Sequence, residues 1–144
     1  RITMVFARRG YNIESLVVSP ALDGHYSRIT ITAEGDPKVL EQIIKQCDKL
    51  VDVLHAEEYQ DPSTIEKELA LIKVKVGTGE RSEVLQIVEH FKAQTVDFKD
   101  ESLVIQVTGN TEKLDACVDM LRKFNLQEIV RTGKVLMRRG LQAT

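Results

Sequence analysis

The sequence has few aromatic residues, few cysteines and almost no net charge. Its 144 residues include three Tyr, four Phe and no Trp, only two Cys, and a formal net charge of −2 at pH 7. A net charge this close to zero does not attract polyanions, which argues against nucleic acid and anionic membrane surfaces as partners. No apolar run approaches the roughly 18 residues of a membrane span, and no charged start leads into an apolar signal segment. We therefore predict a soluble, cytoplasmic protein.

Cysteine and histidine are too scattered to predict a metal site. Cys47 and Cys117 stand far apart, each among apolar residues at helical spacing, which indicates two buried thiols in a reducing compartment. His25, His55 and His90 fall in a predicted turn, strand and helix, and they show no ligand spacing. We expect no metal on this chain.

Motifs of catalysis are also missing. There is no CxxC, HExxH or nucleophile elbow, and the acid pairs at 57–58 and 100–101 fall at a strand end and in a turn, where solvated charge is the usual explanation. Gly77 and Gly79 precede Asp97 as in a dinucleotide fingerprint, but Ser82 replaces the third glycine and two short strands follow. The glycines favour a simple flexible turn, and we predict no catalytic residue.

The first half predicts the order helix, strand, strand, helix, strand. Its elements are expected at 2–9, 12–19, 27–33, 37–50 and 51–59, with Asp36 as the N-cap of the second helix and Pro37 as its first residue. Strand 12–19 is apolar on both sides, which favours association through this strand.

The second half predicts strand, helix, strand, strand, helix, strand. Its elements are expected at 69–76, 81–92, 95–99, 103–109, 111–124 and 127–137, after a polar linker near residues 60–66. We place the domain boundary between residues 62 and 63, which gives domains 1–62 and 63–144.

The two halves share one plan. The second half is a complete βαββαβ unit, a four-stranded antiparallel sheet with two helices on one face, and the first half begins inside the corresponding first helix. We predict an α+β fold of two tandem ferredoxin-like domains, the first lacking its first strand in this chain. Such sheets bind RNA through exposed aromatics, but Phe6 and Phe91 look buried here and the central strands are aliphatic, so this platform is absent.

Several stretches together resemble the regulatory (small) subunit family of acetohydroxyacid synthase, also called acetolactate synthase. The most specific are RRGYNIESL at 8–16 and EIVRTGK at 128–134, and the likeness continues in order over nearly the whole chain. The resemblance implies an N-terminal ACT domain, a second ferredoxin-like domain and a homodimer. It also implies a branched-chain amino acid, usually valine, as feedback inhibitor.

The resemblance further implies a catalytic partner that this chain activates. Thiamine diphosphate, magnesium and FAD are expected on that acetohydroxyacid synthase catalytic subunit, and no cofactor is expected on this chain. A plastid location replaces the cytoplasm if the source is a plant or an alga.

The resemblance also carries over three effector-binding residues. The family binds its effector between two ACT domains, and Asn12 and Ile13 match the strand that contacts it, through the Asn12 amide and the Ile13 backbone. Gln42 matches a position associated with effector sensitivity. The loop before the first helix, which is expected to bind the effector carboxylate through its amides, does not precede the helix in this chain.

Two other kinds of protein remain open at this point. One is a free-standing ACT-type amino-acid sensor without an enzyme partner, and the other is an enzyme that acts alone. Co-purification with a synthase subunit distinguishes the first, and an assay of acetolactate formation without a partner distinguishes the second.

Overall fold

The computed structural model describes residues 2–22, 24–50, 53, 56–57 and 63–144. The chain forms two compact units, Arg1–Ile65 with Leu136–Thr144, and Glu66–Val135. None of the helices in these described ranges is long and apolar enough to cross a membrane.

The described part of the first unit up to residue 57 contains two helices and an antiparallel strand pair. Its elements are α1 (Ile2–Arg8), β1 (Asn12–Pro20), β2 (Ser27–Glu34) and α2 (Pro37–Asp48). The predicted cap of α2 is confirmed, because the Asp36 side chain accepts a hydrogen bond from the Lys38 amide at 3.0 Å and Pro37 opens the helix. Among the described residues of this unit, the buried apolar side chains form one small cluster: Phe6, Tyr11, Ile43 and Cys47.

A β-bulge at Glu14 explains the apolar pattern of β1. Ile13 is the partner of Ala33, but the register then shifts, so that Leu16 faces Ile31 and Val18 faces Ile29. Directly paired residues share a face of the sheet, and an extra residue in one strand reverses its alternation. The apolar residues of β1 therefore lie mainly on one face, with Val17 on the other. Sequence alternation alone had suggested two apolar faces.

The second unit is a complete βαββαβ arrangement. Its elements are β3 (Thr64–Lys75), α3 (Arg81–His90), β4 (Gln94–Phe98), β5 (Ser102–Gly109), α4 (Thr111–Leu121) and β6 (Asn125–Arg131). A further strand, β7 (Val135–Arg138), follows in the chain, and most of its residues belong to the first unit. The sheet order is β4-β5-β3-β6, with β7 also pairing with β3, and the pairs β4–β5, β5–β3 and β3–β6 are antiparallel. This is the ferredoxin-like order.

Strict alternation builds the core of the second unit. Ala70, Ile72 and Val74 of β3 and Val76 directly after it are buried, and the residues between them are exposed. The remaining core comes from β5, α3 and α4: Leu103, Ile105, Val107, Val84, Ile87, Val88, Leu114, Cys117, Val118 and Leu121.

The boundaries of three predicted strands are compared with the structure as follows. The strand expected at 51–59 falls mostly outside the described residues. The strand expected at Leu69 begins at Thr64, so residues 64–66 of the predicted linker are strand. The strand expected at 127–137 is two strands, β6 and β7, because the Thr132 hydroxyl accepts a hydrogen bond from the Leu69 amide and ends the β6 ladder. The predicted boundary between residues 62 and 63 stays a prediction.

Candidate functional site

The turn between α1 and β1 delivers Asn12, the first of the predicted effector residues. The Gly10 amide donates to the Ala7 carbonyl at 3.2 Å and the Tyr11 amide donates to the Phe6 carbonyl at 3.0 Å. Gly10 has a φ of 77°, the left-handed conformation that commonly follows a helix. The helix therefore ends in a closed turn, and β1 begins at Asn12.

Tyr11 fixes this turn to the segment before α2. Its side chain is 5% exposed, and its ring meets Phe6 edge-on with centroids 6.2 Å apart. The Tyr11 hydroxyl donates to the backbone carbonyl of Asp36, and the ring lies directly against Gly35. A buried aromatic anchor with a hydrogen-bonded hydroxyl restrains its neighbours in the chain. The contacts of Tyr11 thus restrain the backbone at the start of β1.

Asn12 and Ile13 present different groups. Asn12 is exposed and pairs in register with Glu34, so its side-chain amide is open to a ligand. Ile13 is half-buried and packs against the core of the first unit, so its backbone remains as the group that a ligand can reach. The effector-binding roles that the resemblance implies for Asn12 and Ile13 stay predictions.

Gln42 lies on α2 and reaches the same turn. Its Oε1 accepts a hydrogen bond from Arg9 Nη1 at 3.0 Å, and Arg9 comes three residues before Asn12. The structure therefore links Gln42 to the α1–β1 turn through Arg9. The sequence analysis gave neither Arg8 nor Arg9 a role at the site.

The charge at this turn has no carboxylate counterpart among the residues that the structure describes. The Arg9 side chain has a neutral amide as its partner there, and the exposed Arg8 side chain makes no hydrogen bond or ion pair with any described residue. The turn thus presents two cations beside the exposed Asn12 amide.

The other residues considered for a chemical role are the two cysteines and the possible metal ligands. Both cysteines are free and buried, as predicted. Burial raises the pKa of both thiols, and the nearby Asp48 charge adds to this for Cys47, whereas Lys113 partly offsets it for Cys117. Thiols with raised pKa are poor nucleophiles. Within the described ranges, no group of three or more His, Cys, Asp or Glu side chains is placed to hold a metal ion.

These features define an α+β protein in which an ACT domain is followed by a second ferredoxin-like domain. Residues 1–55 match the model of the AHAS small subunit-like ACT domain, and residues 67–140 match the model of the small subunit of acetolactate synthase. The chain belongs to the family of acetolactate synthase small subunits. The predicted family and fold class are both confirmed.

Individual relatives agree with this assignment. The chain is 42% identical over 140 residues to the probable acetolactate synthase small subunit of Archaeoglobus fulgidus, covering 97% of this chain and 87% of that one. It is 45% identical over 139 residues to small subunit 2, chloroplastic, of Arabidopsis thaliana, covering 96% of this chain but 29% of that longer one. The crystal structure of the small subunit from Thermotoga maritima superposes with a TM-score of 0.84 at 36% identity, covering 96% of this chain and 87% of that one. Together with the ACT domain, these relatives support a regulatory-subunit role.

Proposed function

We propose that this chain activates the catalytic subunit of acetohydroxyacid synthase and makes it sensitive to feedback inhibition by a branched-chain amino acid, with valine the first candidate. The chain itself contributes no catalytic residue and no cofactor. Thiamine diphosphate, magnesium and FAD belong to the catalytic partner. Two copies of the chain pair through their first units, and the effector binds where they meet.

The observation that supports this most directly is the placement of Asn12 at the α1–β1 turn. Its amide is exposed, it can donate and accept, and the backbone before it is held by Gly10 and by the buried Tyr11. An amino-acid head group needs both donors and acceptors, and a fixed backbone avoids an ordering cost on binding. The backbone of Ile13 provides a further contact to the effector.

The mechanism is linkage between the effector and the catalytic partner. Effector bound between two first units stabilises one arrangement of the pair, and the catalytic subunit prefers another. Couplings of this kind are typically about 1–3 kcal/mol and are reciprocal for binding. The catalytic subunit is therefore expected to weaken valine binding by the same factor by which valine weakens the association of the subunits.

Reconstitution with the catalytic subunit tests the function. Acetolactate formation from pyruvate is measured for the catalytic subunit alone, for this chain alone and for the mixture, with valine, leucine and isoleucine titrated into the mixture. We expect activity to rise in the mixture and to fall again with one of the three amino acids. Acetolactate formation by this chain alone would contradict the proposal. Amino-acid binding without association or activation would favour the free-standing sensor.

Calorimetry tests the site. Asn12→Ala is expected to weaken binding of the effector by roughly tenfold or more, because the substitution removes polar contacts to a charged head group. Asn125→Ala is the matched control, since Asn125 is also an exposed first residue of a strand but lies in the second unit. Equal affinities for Asn12→Ala and the unaltered chain would remove Asn12 from the site.

A further inference from the structure

Gln42 need not touch the effector to affect it. We infer that Gln42 is a positioning residue that acts through Arg9, and that the pair sets the geometry of the turn that presents Asn12. This inference rests on the proposed function for its effect on effector affinity. It assigns Arg9 a role that sequence reasoning did not give it, and it replaces direct contact as the explanation for Gln42.

The Gln42 side chain is hydrogen-bonded to Arg9. The Gln42 side chain has one oxygen, and in the structure that oxygen accepts from Arg9 Nη1 at 3.0 Å. The bond joins the middle of α2 to the residue immediately after α1. That oxygen has a second lone pair, but Arg9 is the partner that it has in the structure, so its observed role is to hold Arg9.

Arg9 and Asn12 lie at the two ends of one hydrogen-bonded turn. The Arg9 amide donates to the Phe6 carbonyl at 3.2 Å, and the Gly10 and Tyr11 amides close the same turn. Tyr11 is anchored on the Asp36 side. The Arg9–Gln42 bond therefore restrains the end of the turn that Tyr11 does not hold. Hydrogen bonds to a ligand weaken steeply when donor and acceptor are misaligned, so a small displacement of Asn12 is enough to lower affinity.

The hydrogen bond between Arg9 and Gln42 joins exposed side chains. Arg9 and Gln42 are both exposed, so the bond adds little to the stability of the fold and its loss leaves the unit folded. The same exposure makes the bond easy to remove by substitution. Arg8 provides a matched control, because its side chain is also exposed, carries the same charge and bonds to no described residue.

A double-mutant cycle on the full chain tests the inference by valine calorimetry. Arg9→Met and Gln42→Met are each expected to weaken valine binding by about fivefold, the size of one hydrogen bond. The double variant is expected to lose no more than either single one, because both substitutions break the same bond. Gln42→Glu keeps an acceptor for Arg9 and is expected to stay within about twofold of the unaltered chain. Arg8→Met is expected to do the same.

Other outcomes of this cycle overturn the inference. If the losses from Arg9→Met and Gln42→Met add, the two residues act separately, and one or both contact the effector. If Gln42→Glu loses as much as Gln42→Met, the bond to Arg9 is not what matters. If neither single substitution changes affinity while Asn12→Ala does, the proposed site stands and the role of the pair falls.

Hydrogen exchange gives a readout that does not need the effector. Exchange of the Gly10 and Tyr11 amides is expected to rise by about fivefold in both Arg9→Met and Gln42→Met. Arg8→Met and Gln42→Glu are expected to leave it unchanged. Faster exchange in a chain that binds none of the three amino acids would keep the positioning role and reject the proposed function. Unchanged exchange would reject the positioning role whatever the affinities.

Discussion

At the residue scale, Gly35 is required by the position of Tyr11. A Cβ atom placed on Gly35 would lie 2.6 Å from Tyr11 Cε2 and 2.7 Å from two other ring atoms. Contacts this short do not occur, so either the ring or the backbone has to move. The Tyr11 ring is buried against Phe6 and its hydroxyl bonds to the Asp36 carbonyl, which leaves it little freedom to yield.

Gly35→Ala is therefore expected to destabilise the first unit by about 1–3 kcal/mol, the usual cost of forcing extra volume into a packed core. Tyrosine fluorescence during urea unfolding measures this effect, because all three Tyr, at positions 11, 26 and 59, precede residue 66. Gly79→Ala, followed by far-UV circular dichroism because Gly79 lies in the second unit, is the control, since no atom of the described residues lies within 4 Å of its Cβ position. An unshifted unfolding midpoint in Gly35→Ala would show that the close approach of Tyr11 is wrong.

At the element scale, the sequence predicted the order of the described helices and strands because each carries its own periodic pattern. The features it missed depend on partners far along the chain. The bulge at Glu14 is defined by the register of β1 against β2, and the end of β6 depends on Thr132 meeting Leu69. For the candidate site, family likeness supplied Asn12, Ile13 and Gln42. Arg9 could not be found that way, because its link to Gln42 joins residues that are neighbours only after folding.

An ion-pair cluster joins three elements of the second unit. The Arg131 guanidinium of β6 bonds to Glu68 of β3, with Nε at 2.9 Å from Oε1, and its Nη1 lies 2.7 Å from Asp115 Oδ1 of α4. Burial acts to lower the Arg131 pKa, but the hydrogen bonds to Asp115 and Glu68 outweigh it and raise the pKa. The Glu68 side chain is 8% exposed, whereas that of Asp115 is 56% exposed.

Arg131→Met is expected to destabilise the second unit by about 3 kcal/mol, because it leaves the Glu68 carboxylate buried without its cation. Asp115→Asn is expected to cost less than about 1 kcal/mol, since that pair is exposed to solvent. Urea unfolding followed by far-UV circular dichroism measures both. Adding Glu68→Gln to Arg131→Met is expected to recover part of the loss. Equal costs for Arg131→Met and Asp115→Asn would show that the burial of Glu68 is not what makes the cluster important.

At the scale of the whole molecule, the two units have unequal cores. Among the described residues, the buried cluster of the first unit is Phe6, Tyr11, Ile43 and Cys47, and that of the second unit draws on two strand segments and two helices. Apolar burial is the main source of stability, so we expect the first unit to be the less stable one by itself. Apolar side chains on one face of its sheet are also exposed: Leu16, Val18 and Ile29. A second copy that covers this unit would stabilise it by mass action.

The unfolding of the full chain is therefore expected to depend on concentration in one unit and not in the other. The midpoint reported by tyrosine fluorescence, which follows the first unit, should rise with protein concentration, because a dimer gains about 1.4 kcal/mol for each tenfold increase. The later transition in circular dichroism, which follows the second unit, should stay fixed. Leu16→Lys places a charge where the proposed partner packs, and it is expected to abolish the concentration dependence. A tyrosine midpoint that is independent of concentration in the unaltered chain would contradict pairing through the first unit, and with it an effector site formed by two copies.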